Sequence, residues 1–506
     1  MNRDARPGTE GPRPEPFGTA SPWKTLIAVS VGSFMTILDV TVVNVAIHSI
    51  QQEFGASTAD VQWVVSGYAL ALGVATPLAG ALGERLGTKK VYLISLGCFA
   101  GASLLCGLAP SLPLLIVARV VQGLAGGFAL PLGSAKLFTA FPAAKRGLAF
   151  GVFGIVLVFA PTVGPLLGGA FVDAGMLRWI FFINVPIGAL GVLLGSRFLT
   201  PDGPRAESAP RIHLPSVVLV CVGFSGLLLG ATLLGSPSGS HSSSRGTTLA
   251  AFAVGALALV VLVRVQLRSA SPLLNLRLYR VRTYWIGSAI NALGQVPFFG
   301  TQFLLPLSMQ VVRGVSALDA GLALLPLALS SGAAGVLAGR VRDRWGPRLP
   351  LAVGFLLLAA GIAMLRARAA DPDPRGLVWP LLLAGAGAGA IPPTTQVTAL
   401  SDVPRESVGS GTALLQATQR VCQALGVAAL AAIVARGVTA PANSHVFIAQ
   451  YAAGLSAAYT VALYVSLGCA VLATLLPGWP IRSTEAIPET GPGTGAVSGQ
   501  KTPPDS

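Results

Sequence analysis

The chain has 506 residues, 53% of them hydrophobic and only 10% charged, with a mean hydropathy of +0.71. A soluble chain carries about a quarter charged residues, so this one cannot cover a water-facing surface of its size, and a soluble enzyme or a nucleic-acid-binding domain is excluded. The net charge of +15, from 34 basic and 19 acidic residues, would suggest nucleic acid in a soluble protein, but here it must be read against a bilayer.

Residues 1–22 are rich in Pro, Gly and charge and read as a disordered tail, as does the stretch 480–506. Between them lie fourteen apolar stretches of the roughly 20 residues that cross about 30 Å of hydrocarbon. They run over 25–47, 61–82, 91–109, 113–135, 147–171, 179–198, 215–234, 247–267, 284–309, 319–339, 349–366, 377–399, 410–435 and 453–477. The class is an all-α polytopic membrane protein. The first span is too long for a secretory signal and lacks a convincing cleavage site, so it is expected to remain. Cys98, Cys106, Cys221, Cys422 and Cys469 fall in apolar stretches with no C-x-x-C, which argues for buried thiols over disulfides or zinc. There is no Gly-Lys-Ser or Gly-Lys-Thr, hence no nucleotide-binding loop of that kind, and no cofactor is expected.

Lysine and arginine in the connections set orientation. With both termini inside, 25 of the 34 basic residues lie in inside segments, 7 in outside loops (Arg178, Arg245, Arg313, Arg366, Arg368, Arg375 and Arg436), and Arg119 and Arg420 within spans. Position 240 is expected outside and position 345 inside. The basic 366–375 connection is the exception, and a miscounted helix pair there would explain it.

The second span is followed by Gly80-Ala-Leu-Gly-Glu84-Arg85-Leu-Gly87-Thr-Lys89, and the tenth by Gly339-Arg-Val-Arg-Asp343-Arg344-Trp-Gly346-Pro-Arg348. Both fit G-x-x-x-[DE]-R-x-G-x-[KR]. A motif repeated at equivalent topological places implies two related six-helix halves. The expected division is 23–200, two linker helices within 201–282, and 283–479. The motif's acid can pair with an arginine or cap a neighbouring helix N-terminus. Either makes a latch that holds one arrangement of the halves; the plain alternative is a charged turn.

Asp39 is the sharpest single feature. Of the nineteen carboxylates it alone lies deep in a span, where a charge costs about 2.5–3.5 kcal/mol on insertion scales. An acid so placed can take a proton from one side and release it to the other; the alternative is a packing hydrogen bond. Arg119 cannot lose its proton and needs a partner, and Asp39 is the natural one. Arg420 is the second intramembrane cation, for which counter-charge, substrate contact and a misplaced span end all fit. In the fifth span Pro161 and Pro165 each remove a backbone hydrogen bond, while Gly164, Gly168 and Gly169 permit close approach of another helix. Such a helix suits packing between the halves. Polar and aromatic residues of the central spans include Phe34, Trp63, Phe153, Gln295, Phe298 and Phe299. The substrate contacts expected first are Tyr68, Asn291, Gln302 and Arg420.

Several of these stretches resemble the Major Facilitator Superfamily, over almost the whole chain. Arg119-Val-Val-Gln122-Gly123-Leu-Ala-Gly126-Gly127 looks like its R-x-x-Q-G-x-x-[GA]-[GA] element. Ala160-Pro161-Thr-Val-Gly164-Pro165-Leu-Leu-Gly168-Gly169 is similar to the element associated with proton antiporters. Leu38-Asp39-Val-Thr41-Val-Val-Asn44-Val-Ala46 resembles the first-span signature of the fourteen-helix drug:proton antiporter family. Trp63, Tyr68 and Arg178-Trp179-Ile-Phe-Phe-Ile-Asn184-Val-Pro186 fit the same family. Three positions depart from it: Glu84 in place of Asp, His48 in place of Pro, and Ala160 in place of Gly. The resemblance implies a proton-coupled exporter of a small amphipathic compound, an antibiotic or multidrug pump in the cell membrane, working as a monomer by alternating access, with a role for Arg119 in proton translocation. A metabolite or lipid transporter is the alternative. An intramembrane enzyme would need a nucleophile and base within the spans, where one deep carboxylate and no deep histidine are found.

Overall fold

In hydrocarbon the backbone must satisfy its own N–H and C=O groups, so the apolar runs can only be helices. The computed structural model describes residues 21–202, 214–235, 245–269, 272, 274–315, 322–371, 373–436, 438 and 445–476. Residues 1–20 of the first tail, the whole of 480–506 and position 240 lie outside the described residues; Pro22, at the end of the first tail, already opens the first helix. Within the described residues fourteen long helices form, counting interrupted ones once. They are α1 (Pro22–Phe54), α2 (Trp63–Leu86), α3 (Thr88–Gly107), α4 (Leu112–Ala140), α5 (Arg146–Asp173) and α6 (Trp179–Phe182, then Asn184–Phe198). Next come α7 (Leu214–Gly235), α8 (Arg245–Arg268) and α9 (Arg282–Leu293, then Gln295–Arg313). The last five are α10 (Leu325–Trp345), α11 (Arg348–Ala367), α12 (Val378–Leu400), α13 (Val408–Arg436) and α14 (His445–Ala473). No strand occurs among the described residues. Ten of the helices are long and apolar enough to cross a membrane. The other four, α7, α9, α10 and α12, are short where described, interrupted, or diluted by Gly, Thr and charge.

Three spans depart furthest from the apolar pattern, and the first of them runs on from 47 to Phe54. The tenth, expected at 319–339, is Leu325–Trp345, and the last begins at His445 instead of 453. At the tenth span the helix continues into polar residues whose long side chains reach away from hydrocarbon, since α10 runs on through Arg340, Arg342 and Arg344; the early turns of the last helix are apolar, with Val446, Phe447 and Ile448, and simply extend the span toward its N-terminus. At the basic 366–375 connection α11 ends at Ala367 and α12 begins at Val378, so no helix pair is gained or lost there.

Packing follows the repeat. In the first half α4 is the hub for α1, α2 and α3, with α5 and α6 on α1; in the second, α12 is the hub for α9, α10 and α11, with α14 on α11. One apolar core, including Leu38, Val42, Ile50, Leu115 and Ile180, lies wholly in the first half. Another, including Ile290, Phe355, Leu358, Leu381 and Leu455, lies wholly in the second. The halves meet chiefly along α2 with α13 and α5 with α10. Helices α7 and α8 pair with each other, and α7 lies on both α2 and α13 through a shared cluster of Val74, Val220, Phe224, Leu262 and Ala417.

The repeated loop motif folds alike in both copies. Gly87 and Gly346 end α2 and α10 with φ of 101° and 80°, a backbone that an L side chain resists. Gly80 and Gly339, the first glycines of each copy, are crossing points. A Cβ on Gly80 would meet the backbone of Ser410 on α13, and one on Gly339 would meet the Gly147 backbone on α5. The spacing of the motif is thus a packing requirement as well as a turn signal.

Candidate transport site

Helix α1 is apolar on nearly every face, so its few polar groups mark its directions. Thr36, Ile37, Val40 and Thr41 face a central cavity between the halves, as their i, i+4 spacing requires. Asp39 turns the other way, into the first half, and is 0% exposed. Its Oδ2 lies 2.5 Å from Arg119 Nη1 of α4. Its Oδ1 accepts hydrogen bonds from Gln122 Nε2 at 3.0 Å and Asn184 Nδ2 at 2.8 Å. Both amides also reach Ser103 Oγ, at 3.0 Å each. Arg119 donates further to Gln122 Oε1 and to the Val64 carbonyl, and its guanidinium stacks 4.1 Å over the Tyr68 ring. Buried charges persist when they are paired and hydrogen-bonded, and five helices, α1, α2, α3, α4 and α6, supply the parts. Asn184 Oδ1 alone in this cluster has no partner.

The cavity is separate from that cluster. It has a volume of about 320 Å³. On the first-half side its wall is mostly aliphatic and aromatic, with Leu130, Phe153, Leu157 and Pro161 beside the α1 residues, and its polar groups are the hydroxyls of Thr36, Thr41 and Ser134. On the second-half side it is lined by Phe298, Phe299 and six glutamines, at 295, 302, 396, 416, 419 and 423, together with Arg420. Gln416 Nε2 reaches across to Ser134 Oγ of α4 at 3.2 Å.

The expected substrate contacts therefore divide. Gln302 and Arg420 line the cavity. Tyr68 does not: it is 2% exposed, beneath Arg119, with its hydroxyl toward the Thr36 carbonyl at 3.4 Å. Asn291 is also behind the wall, donating to Gln419 Oε1 at 3.1 Å and accepting from Thr395 Oγ1. Both are polar residues in apolar helices, and spacing alone does not say which way such a residue points. Gln122, Asn184 and Ser103 were not singled out by role from sequence. Gln122, one helical turn after Arg119 on the same face, carried the available signal; Ser103 had none.

The loop acids are helix caps. Asp343 accepts from the backbone N–H of Gly147 and Leu148 at the start of α5, both at 2.9 Å. Glu84 accepts from the N–H of Ser410 at the start of α13, at 3.1 Å. Each sits at the positive end of a helix of the opposite half. Arg85 and Arg344 are exposed. The arginine that pairs with the acid is Arg342, 6% exposed and 3.1 Å from Asp343 Oδ1. Beside them Asp202, in the connection after α6, accepts from the backbone N–H of Lys89 and Lys90 and from Lys136 Nζ at 2.8 Å. Burial pushes its carboxyl up, but these donors outweigh it and hold it below the usual range.

The proline–glycine element of α5 differs from expectation. Pro161 lines the cavity, and α5 stays helical through both prolines. Gly164 packs on Thr41, and Gly168 on Val42 and Val45, all of α1 in the same half, while a Cβ on Gly169 would meet open space. The halves instead touch through earlier glycines of α5, Gly147 against Gly339 and Gly151 against Gly335. The expectation went astray because small residues mark a close contact without naming the partner.

The Major Facilitator Superfamily profile matches residues 29–427. The tetracenomycin C resistance and export protein of Streptomyces glaucescens is 34% identical over 420 residues, 82% of this chain and 77% of that protein. The lincomycin resistance protein LmrB of Bacillus subtilis is 28% identical over 449 residues, 87% of this chain and 93% of that protein. In three dimensions the proton:xylose symporter XylE aligns with a TM-score of 0.64 at 15% identity, covering 91% of this chain and 97% of that one, a likeness of fold.

Proposed function

The chain belongs to the Major Facilitator Superfamily; it is a multi-pass membrane transporter and not an enzyme, and from that premise we propose that it is a proton-coupled antiporter exporting a small amphipathic compound, an antibiotic-efflux pump. The relatives that confer resistance to tetracenomycin C and lincomycin support export of such a compound. The observation that carries proton coupling is the Asp39 cluster, a carboxylate and its arginine sealed one residue from the cavity wall.

In this mechanism the proton binds Asp39 and weakens its pair with Arg119. The cation keeps the Val64 carbonyl, Gln122 and the Tyr68 face as partners. A neutral carboxyl needs an acceptor for its proton, and the free Asn184 Oδ1 supplies one by turning its amide. Substrate never touches Asp39. The two sites speak through α1, which carries Asp39 on one face and Thr36 and Val40 on the other. Competition between proton and substrate is therefore conformational.

The moving units are 23–200 and 283–479, with 201–282 as a linker. The loop acids latch the end where Gly80 meets Ser410 and Gly147 meets Gly339. With both termini inside, that latched end is the cytoplasmic one, closed in this arrangement of the halves. Breaking the Glu84 and Asp343 caps opens the opposite state. One copy of the chain contains every element used.

The test is flux in proteoliposomes under an imposed pH gradient. Asp39→Asn inserts and folds but loses proton-driven transport, by about a hundredfold or more if the pair supplies at least 3 kcal/mol of coupling. Normal uphill transport by that variant ends the proposal. Labelling of Trp345→Cys from inside only, and of Gly55→Cys from outside only, checks the orientation; the reverse pattern overturns it.

A further inference from the structure

The central cavity contains one ionisable side chain among the described residues, Arg420, and no carboxylate. Its guanidinium belongs to α13, whose Gln416, Gln419 and Gln423 line the same wall. Arg420 Nε is buried without a hydrogen-bond partner, and none of the ion pairs among the described residues involves it. A cation held out of water without an anion is unfavourable until something supplies one. The contrast with Arg119, which has four distinct partners, shows that the fold can satisfy an arginine where it needs to.

The cavity is also divided by half. The amide-rich wall belongs to α9, α12 and α13, and the facing wall of α1, α4 and α5 is mostly aliphatic carbon and Phe153, with the hydroxyls of Thr36, Thr41 and Ser134 and no charged group. A molecule bound between them has one polar end and one apolar body. The polar wall is positive and rich in amides that donate as well as accept. A guanidinium is a planar fork of donors matched to two oxygens of one delocalised anion.

We propose that the substrate is an amphipathic organic anion, a carboxylate or an acidic enol or phenol on an apolar skeleton, whose oxygens dock on Arg420 while the skeleton lies against α1 and α5. Lipophilic cations are disfavoured, because no described residue of the cavity wall carries negative charge to receive them. This rests on the reading of the chain as an exporter using this cavity, but it is tested by binding, which needs no proton coupling.

The full-length protein in nanodiscs is dialysed to equilibrium against three probes with the same apolar body: 1-pyrenebutyrate, 1-pyrenebutanol and 4-(1-pyrenyl)butyltrimethylammonium. Empty nanodiscs supply the background. The expected order is anion tightest, by tenfold or more over the cation. Arg420→Gln abolishes that preference, and Arg420→Lys, which keeps the charge without the fork, retains part of it. Gln423→Glu, which leaves Arg420 in place and adds an acid to the wall, reverses the preference toward the cation. Equal binding of the three probes, tighter binding of the cation, or no binding of the anion overturns the proposal, as does unchanged anion preference in a folded Arg420→Gln. Anion binding with loss of all proton-linked flux would instead leave the site intact and remove the antiport reading.

Discussion

Two arginines lie deep within the membrane-spanning helices, away from their ends, and they live differently. Arg119, 1% exposed, is saturated: Asp39, Gln122 and the Val64 carbonyl take its hydrogens, and Tyr68 takes its face. Arg420 faces a cavity with its Nε unmatched and no carboxylate beside it. The first half hides its charges in its own interior, and the second presents its charge to whatever enters between the halves. A buried cation that is completed by the fold serves the fold or its switching; one left incomplete is available to a ligand. The residue type is the same, so the distinction lies wholly in the neighbours.

The strongest way to break this contrast is to remove each cation in turn. Arg119→Gln leaves Asp39 buried and unpaired and should destabilise the protein by about 3–5 kcal/mol, seen as lost yield or a large fall in Tm. Arg420→Gln should fold with Tm nearly unchanged. Equal destabilisation by the two would mean that Arg420 has a partner as necessary as Asp39.

The two latches sharpen the comparison at a smaller scale. Asp343 engages two N–H groups and Arg342, whereas the longer Glu84 engages one N–H. Charge-assisted hydrogen bonds are worth about 1.5–3 kcal/mol. Asp343→Asn should therefore shift the populations of the two transport states by about tenfold or more, and Glu84→Gln by less. Distances between spin labels on α2 and α13, and on α5 and α10, measure the shift. A larger effect at Glu84 would invert the order of the latches.

The smallest effect is expected at Asp202, which caps α3 outside the spans. Asp202→Asn should cost about 1 kcal/mol. Because its carboxyl is held below the usual range, the stability it contributes is present above the unfolded-state value near pH ~4 and is lost as pH falls through the lower folded value. A thermal-shift profile of wild type against Asp202→Asn should converge in acid and separate at neutral pH; a constant gap across that range would deny Asp202 this role.

Much of the molecule was legible beforehand because the bilayer imposes a one-dimensional code. Hydrocarbon forces helices of a given length, so fourteen apolar runs yield fourteen helices, with some ends displaced, as where polar residues prolong α10 through Arg340–Arg344 and where α14 starts early at His445. The Gly80 and Gly339 motifs announce a repeat, since a left-handed turn and a close crossing both demand glycine at fixed spacing. Asp39 stands out because a carboxylate in hydrocarbon is costly wherever it points. Direction in space is another matter. Whether Tyr68 meets substrate or Arg119, whether Gly164 meets the other half or α1, and which arginine joins Asp343 depend on rotation of one helix against another, set by the packing of residues far apart in the chain. The same packing places six glutamines around Arg420 and leaves that cation without an acid. No local pattern records this, because an unmade contact is a property of the assembled cavity.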